Sequence, residues 1–420
     1  MHIAFGDINA VKKEIGFAYD KVPFFRNSLT PALAAAIAAI TSPADVTQIP
    51  ATSKVDYRKN FPHGILADGR SVDDAQVSRM QSSGTSGDRL VTVMHSFKLA
   101  DRMSNCLEVN PDLHFLLDEA TIRTCRYAAP NCSDVECSNP YTTMQDRILP
   151  DGTLVLPVHH DLLTTPQTML RVAFDEMHSY RPNLWYVDPM HMTYLILKAR
   201  ELGWEWSVPD KLAVLLSYAY ATQALLRQLR EFFGSKTPVA GVVAMSEFGF
   251  VGVECDQHTL HLNDKDFYLE FDNEEDDPDG VFELSVTSIG DRLCPHIRYR
   301  TNDLYRILPQ CRCGSSMPAV AFEGRRKDVV TLANGKQITP RGLDQIVGAP
   351  LWIDVYQLTV QRQSHFVFRY KGNPEHQDAQ QLAQLKQQLE SWLDTSEVRM
   401  EAVEYFPFER GGKFQIIRAM

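Results

Sequence analysis

Apolar residues along this chain fall into runs of two kinds. Leu154-Val155-Leu156-Pro157-Val158 is continuously apolar and reads as a buried strand, whereas Thr168 to Met177 carries apolar side chains at helical spacing. Leu212 to Phe233 predicts one long helix with a basic last part, and the alanine-rich Ala32 to Ile40 predicts a short core helix. This mixture of helices and strands from Gly87 to about Phe233 favours an α/β sheet core. From Val239 to Leu308 the pattern turns strand-rich. Phe267-Tyr268-Leu269-Glu270-Phe271 and Phe282-Glu283-Leu284-Ser285-Val286 flank an acidic stretch, Asn273 to Gly280, that predicts a solvated turn. The first sixty or so residues mix helical patches with the Pro-containing Ile49 to Lys54 segment, a form that packs over a larger body.

A break is expected near Glu323 to Asp328, where Arg325-Arg326-Lys327-Asp328 follows Gly324. Beyond it, Val355 to Val360 and His365 to Tyr370 read as strands, Gln380 to Trp392 as a helix with a glutamine-rich wet face, and Met400 to Phe406 as a last strand. The expected fold class is therefore α/β: a large domain with mixed sheets over residues 1–324 and a small mobile α+β domain over 325–420.

Length and charge narrow the function. With 420 residues, 44% of them hydrophobic, the chain can bury more than one core. A net charge of -11 and a pI near 5.6 argue against nucleic acid or an anionic membrane as partner, and point to a small molecule. No run is long enough to span a bilayer, and the amino terminus lacks the pattern of a signal peptide, so a cytoplasmic location is expected. The eight cysteines then read as free thiols or metal ligands.

Three stretches carry chemistry. Ser82-Ser83-Gly84-Thr85-Ser86-Gly87 packs hydroxyls and glycines without an apolar side chain. Such a run suits a polyphosphate cradle, because glycine lets successive amides face one anion; a flexible linker has the same composition. Ser246-Glu247 follows the hydrophobic run Val242 to Met245, so a strand end would deliver one carboxylate, either a solvated terminus or a magnesium ligand. In Pro295-His296-Ile297-Arg298-Tyr299-Arg300-Thr301-Asn302-Asp303, the Asp suits vicinal ribose hydroxyls and the arginines supply positive field for phosphates; a strand closed by an Asp turn reads the same way. No Gly-Lys-Ser/Thr phosphate loop, Gly-x-Gly-x-x-Gly fingerprint, Gly-x-Ser-x-Gly elbow or His-Glu-x-x-His helix appears.

Taken in order, these elements resemble the phenylacetate-CoA ligase branch of the adenylate-forming superfamily over nearly the whole chain. Val22-Pro23-Phe24-Phe25-Arg26, Ile49-Pro50 to Lys54, and Phe61-Pro62 with Gly64 follow its opening pattern. Met245-Ser246-Glu247 corresponds to its Leu-Ser-Glu element, Glu254-Cys255 and Leu260-His261 follow, and Arg298-Tyr299-Arg300-Thr301 with Asp303 matches its ribose motif. Gly324-Arg325 with Asp328 resembles the hinge element and Gly412-Lys413 the element bearing a late catalytic lysine.

The resemblance implies ATP phosphates on Ser82, Ser83, Gly84, Thr85, Ser86 and Gly87, with Ser246 beside them. It places magnesium on Glu247, ribose on Asp303, the nucleotide also on Arg325, a pivot at Lys327, and Lys413 as the cation that promotes adenylation. Cys255 and His261 with Cys311 and Cys313 resemble the zinc binders of the branch, and three thiolates plus an imidazole make a closed structural set. His258 is an alternative to His261, and free thiols beside a packed histidine are the other reading. Cys125, Cys132 and Cys137 read as incidental thiols.

The implied reaction joins a carboxylic acid, an aromatic one by the resemblance, to AMP with loss of pyrophosphate, and then to coenzyme A. A carrier protein, an amine or a reductase is the alternative acceptor, a catalytically silent nucleotide-binding scaffold is the rival, and a homodimer is implied. Three departures stand out: Val243-Ala244 replaces the usual Tyr-Gly, Ser217-Tyr218-Ala219 lacks the acid of a Gly-Ala-Glu element, and Lys327 stands where the branch usually has Asp.

Overall fold

The computed structural model describes the chain apart from residues 82–89, 119–121, 131–136, 160, 274–279, 362–364, 377, 396, 405, 407, 409–411 and 420. The phosphate-loop residues Ser82 to Gly87, Cys132 and most of the Asn273 to Gly280 turn therefore lie outside the described residues. Two compact units emerge, each made of two stretches of chain: Met1–Leu117 with Val242–Phe322, and Asp118–Gly241 with Glu323–Met420. One division, between Phe322 and Glu323, lies two residues from the expected limit at 324/325. The stretch Asp118–Gly241, however, packs into the same unit as the carboxy-terminal stretch.

In the first unit, strands follow the spatial order His2–Phe5, Phe267–Asp272, Phe282–Ser288, Tyr299–Ile307, residues 319–322, Leu260–Leu262, Gly249–Glu254 and residues 242–245. The described pairings among them are antiparallel, so short turns suffice to connect neighbours. The Ile8–Lys21 helix starts where Asp7 accepts from the amides of Asn9 and Ala10, and it buries Val11, Ile15, Ala18 and Tyr19, a single helical face. That face packs with Phe267, Leu269, Phe271, Leu284 and Val286 in one core, so the amino-terminal residues do cover a larger body. The Pro31–Ala39 helix departs from expectation. It forms, but buries no residue; only Leu33, Ala36 and Ile37 lean on the core, because alanine offers too little side chain to require an interior place.

In the second unit, Leu154–Val155, Thr124–Tyr127, Leu184–Val187, Ala213–Leu216 and residues 239–241 pair in parallel. Here the long helix expected over Leu212 to Phe233 is corrected. Ala213–Leu216 is a strand buried at every position, a turn follows, and the helix is Gln223–Phe233, capped by Thr222. The run had no polar face, the mark of a central parallel strand. The Gln167–Ser179 helix falls where expected, and of the strand expected over Leu154 to Val158 only Leu154–Val155 forms, although Leu156 and Val158 are buried as well. The carboxy-terminal stretch adds a separate four-stranded sheet, ordered Val398–Ala402, His365–Gly372, Ile353–Gln361 and Ile417–Ala419, with the Ala379–Trp392 helix. Among the described residues no helix is long and apolar enough to cross a membrane.

Candidate functional site

Ser246 and Glu247 occupy the connection of a hairpin. Met245 pairs with Gly249, the Phe248 amide donates to the Met245 carbonyl at 3.1 Å, and the chain returns as Gly249–Glu254. Gly249 sits at φ +69, and a Cβ there would lie 2.4 Å from Leu99, so the reversal needs glycine.

Three side chains from distant parts of the sequence grip this connection. Thr92 donates its hydroxyl to the Ser246 carbonyl at 2.6 Å, Arg102 donates to the Phe248 carbonyl at 3.0 Å, and Tyr299 donates to Glu247 Oε1 at 2.7 Å. Thr92 lies on the Val91–His95 strand, paired with Val77–Gln81, and these two strands bracket the sequence proposed to cradle phosphate. None of the three had a signal in sequence spacing, since their partners lie 154, 146 and 52 residues away.

Below the connection the packing is aromatic. His296 stacks on Tyr57 at 4.3 Å between ring centroids and meets Phe248 and Tyr299 edge-on. Burial drives the His296 imidazole down to about 4, against the opposing pull of Asp291. Burial, and next to it the Glu247 carboxylate, push the Tyr299 phenol far above its ordinary range, so it stays protonated and donates. The Asp303 carboxylate, on the same strand, adds a smaller push in the same direction.

Asp303 owes its place to an irregularity. Phe282–Ser288 pairs Ser285 with Arg300 and Glu283 with Leu304, so Thr301, Asn302 and Asp303 face the single Leu284. Asn302 takes φ +59, the Thr301 hydroxyl donates to the Leu284 carbonyl at 2.8 Å, and the Asp303 amide donates back to Thr301 Oγ1 at 3.1 Å. A bulge re-aims side chains that regular alternation would have fixed. Arg298 does not serve as a phosphate field, contrary to the sequence expectation. It is buried at φ +45, its Nε donates to Glu270 at 2.9 Å, and its Nη1 donates to the carbonyls of Thr47 and Ile49. A guanidinium so occupied fastens the Ile49 to Lys54 segment instead, and Arg300 is left exposed.

The four predicted metal ligands do converge. Cys255, His261, Cys311 and Cys313 bring their ligand atoms within 4.8 Å of one another. Cys255 Sγ is 3.8 Å from Cys311 Sγ, and Cys313 Sγ is 3.3 Å from His261 Nε2. His261 Nδ1 lies 3.0 Å from the Met317 carbonyl, an arrangement that places its proton there and leaves Nε2 as the ligand. Burial raises the Cys255 thiol to about 12; at Cys311 burial also pushes upward, but the hydrogen bond from the Cys313 amide and the neighbouring Thr259, His261 and Cys313 side chains outweigh it and bring the thiol to about 6. The donor set, three sulfurs and one imidazole nitrogen on hairpins, fits a tetrahedral zinc with no open position. His258 is not among the converging ligands.

The remaining predicted residues belong to the second unit. Arg325 Nη2 donates to the Tyr218 carbonyl at 3.3 Å, where Tyr218 stands at φ +73 in the turn that carries Ala219. Lys327 lies in the Arg326–Asp328 turn, 3.9 Å from Asp328, and Asp328 accepts from Gln415 Nε2 at 2.6 Å. That bond ties the predicted hinge to the segment bearing Lys413. Lys413 is only 8% exposed, preceded by Gly412 at φ +78 and followed by Phe414, whose ring meets Phe406 and Phe408.

Known proteins set this geometry in context. No family model matches the chain. It is 25% identical over 377 residues to a phenylacetate-coenzyme A ligase of Thermus thermophilus, covering 84% of this chain and 77% of that one. To the phenylacetate-coenzyme A ligase of Aromatoleum evansii it is 25% identical over 393 residues, covering 88% and 81%. Among solved structures, 2-hydroxyisobutyryl-CoA ligase in its postadenylation state, bound to an acyl-AMP, superimposes with a TM-score of 0.68 at 14% identity, over 98% of this chain and 88% of that one. By sequence the chain is thus a distant relative of the phenylacetate-coenzyme A ligases, and it carries the fold of the adenylate-forming CoA ligases.

Proposed function

We propose that this chain is an ATP-dependent acid–CoA ligase that converts an aromatic carboxylic acid to its acyl-adenylate with release of pyrophosphate and then passes the acyl group to coenzyme A. The observation that supports the reading is the hydrogen bond from Tyr299 to Glu247 Oε1, which ties the candidate cation ligand to the head of the strand that bears the candidate ribose acceptor, Asp303. Glu247 retains Oε2 for magnesium, a one-carboxylate attachment that suits a cation which keeps most of its ligands as water and phosphate oxygen. Magnesium, when bound, neutralises charge on the polyphosphate.

Asp303 accepts from the two ribose hydroxyls, and the hydroxyls and amides of residues 82–87 hold the phosphates. Arg325 steadies the nucleotide. Lys413 sets an ammonium against charge that grows on the α-phosphate as the carboxylate attacks. The stretch from Arg325 turns about Lys327 between the two half-reactions and keeps water from the mixed anhydride. Zinc on Cys255, His261, Cys311 and Cys313 is structural.

Val243-Ala244 and Ala219, the positions at which the resembled branch would have an aromatic wall and an acid, bear on which acid fits. If the reading holds, Lys413→Ala slows acid-dependent pyrophosphate release by at least about a hundredfold, in the range of a lost transition-state charge contact, while ATP binding by calorimetry stays near wild type. Unchanged pyrophosphate release removes Lys413 from the mechanism.

A further inference from the structure

We infer that Tyr299 is a positioning residue for Glu247: its hydroxyl occupies one lone pair of Oε1 and so fixes which carboxylate oxygen, and which direction, is offered to the cation. This rests on the reading of Glu247 as the magnesium ligand and deepens it.

The tyrosine is held on every side before it touches Glu247. Its ring is 3% exposed and meets Tyr57, Phe248 and His296 edge-on at 5.5 to 5.6 Å. Its backbone is bridged to Thr52, with the Thr52 amide donating to the Arg298 carbonyl and the Arg300 amide donating to the Thr52 carbonyl. On one side Arg298 is locked by Glu270, and on the other the bulge carries Asp303. Phenylalanine would satisfy all of that ring packing. The hydroxyl is the one atom that packing does not explain, and its partner is Glu247 Oε1 at 2.7 Å.

Glu247, by contrast, sits half-exposed in a hairpin connection whose backbone is fixed by Thr92 and Arg102 but whose side chain would otherwise sample several rotamers. Magnesium demands near-octahedral geometry at short range, so a carboxylate that wanders binds it poorly. Partners that orient a metal ligand are worth roughly ten- to a hundredfold in affinity or activity. Tyr299 also heads the strand that carries Asp303, so the cation ligand and the ribose acceptor are indexed to the same backbone.

The test uses the full chain with ATP, acid and graded Mg2+. Tyr299→Phe keeps the ring and removes the hydroxyl. Expected is a rise of roughly tenfold in the Mg2+ concentration that half-saturates pyrophosphate exchange, with much of the rate recovered at high Mg2+. In the Glu247→Gln background the same change adds nothing further. A purely structural role for the hydroxyl predicts a lower rate at every Mg2+ concentration with an unmoved midpoint, and that result overturns the proposal. So does a Tyr299→Phe change that raises the Mg2+ midpoint as far in Glu247→Gln as in the parent. If Glu247→Gln itself leaves rate and Mg2+ dependence untouched, the reading of Glu247 fails, and the proposal falls with it for that separate reason. Calorimetric titration of Mn2+ into the nucleotide complex of each variant gives the same comparison without turnover.

Discussion

The buried imidazole of His296 makes a stability prediction that can be worked through. Its ordinary value of 6.5 falls to about 4 in the folded chain, chiefly through burial beneath Tyr57, Phe248 and Tyr299. Between those two values the unfolded chain takes a proton that the folded chain refuses. Stability from this residue is therefore complete above pH 6.5 and is lost as the pH falls toward 4. A tenfold difference in proton affinity between the folded and unfolded chain corresponds to about 1.4 kcal/mol, so the loss over this window is roughly 3 kcal/mol. His296→Phe keeps an aromatic ring in the stack and abolishes the titration. Its backbone bond to Ser288 Oγ, 3.0 Å, is untouched. Denaturant midpoints should be measured for both proteins at intervals from neutral pH down to the folded value. Because the chain has two compact units and need not unfold in one step, the difference between parent and variant is the informative quantity. The variant should lose markedly less stability than the parent over that window. Parallel decline of the two proteins would refute the claim that a neutral, buried imidazole sits in this core.

Glu14 should show the opposite slope. Burial raises its carboxyl from 4.5 to about 7 despite Arg292, so its contribution is intact below 4.5 and is lost as the pH rises through 7; Glu14→Gln should flatten that loss, and an unchanged profile would contradict it. Over the shared part of the window Glu14 and His296 offset each other, which is why single variants reveal what the parent hides. For the Cys255, His261, Cys311 and Cys313 cluster, purified protein should hold about one equivalent of zinc. Chelation should lower the melting midpoint, as should Cys311→Ser, because the closed shell makes the metal structural. Less than half an equivalent in carefully purified protein would sink the site.

Much of the fold was legible where residues act locally. Val242 to Met245 reads as a strand that ends at Ser246-Glu247, and it is one; the strands at Ile353–Gln361 and His365–Gly372 and the Ala379–Trp392 helix are also where apolar spacing puts them. The strand expected over Met400 to Phe406, by contrast, is Val398–Ala402, and Ile417–Ala419 is a further strand that was not expected. The errors share a cause. Leu212 to Leu216 has no polar face to betray its period, so an apolar run beside a true helix was joined to it. Arg298 has the composition of a phosphate ligand but is consumed by Glu270 and two carbonyls that lie far off in sequence. The same distance hid Thr92, Arg102 and Tyr299 as the grips on the Ser246-Glu247 turn. The convergence of the four candidate ligands was expected from the tight Cys311-Arg312-Cys313 turn together with the family resemblance at Cys255 and His261; short local loops bring each pair together, and the remaining step needed only that the two pairs meet.

The reaction itself is tested most directly by acid-dependent exchange of labelled pyrophosphate into ATP, run over a panel of aryl and aliphatic acids with and without coenzyme A. Adenylation predicts exchange that requires an acid and is fastest with aryl acids, and a CoA thioester that accumulates only when coenzyme A is present. ATP binding without exchange for any acid would contradict it and mark the chain as a silent nucleotide-binding scaffold.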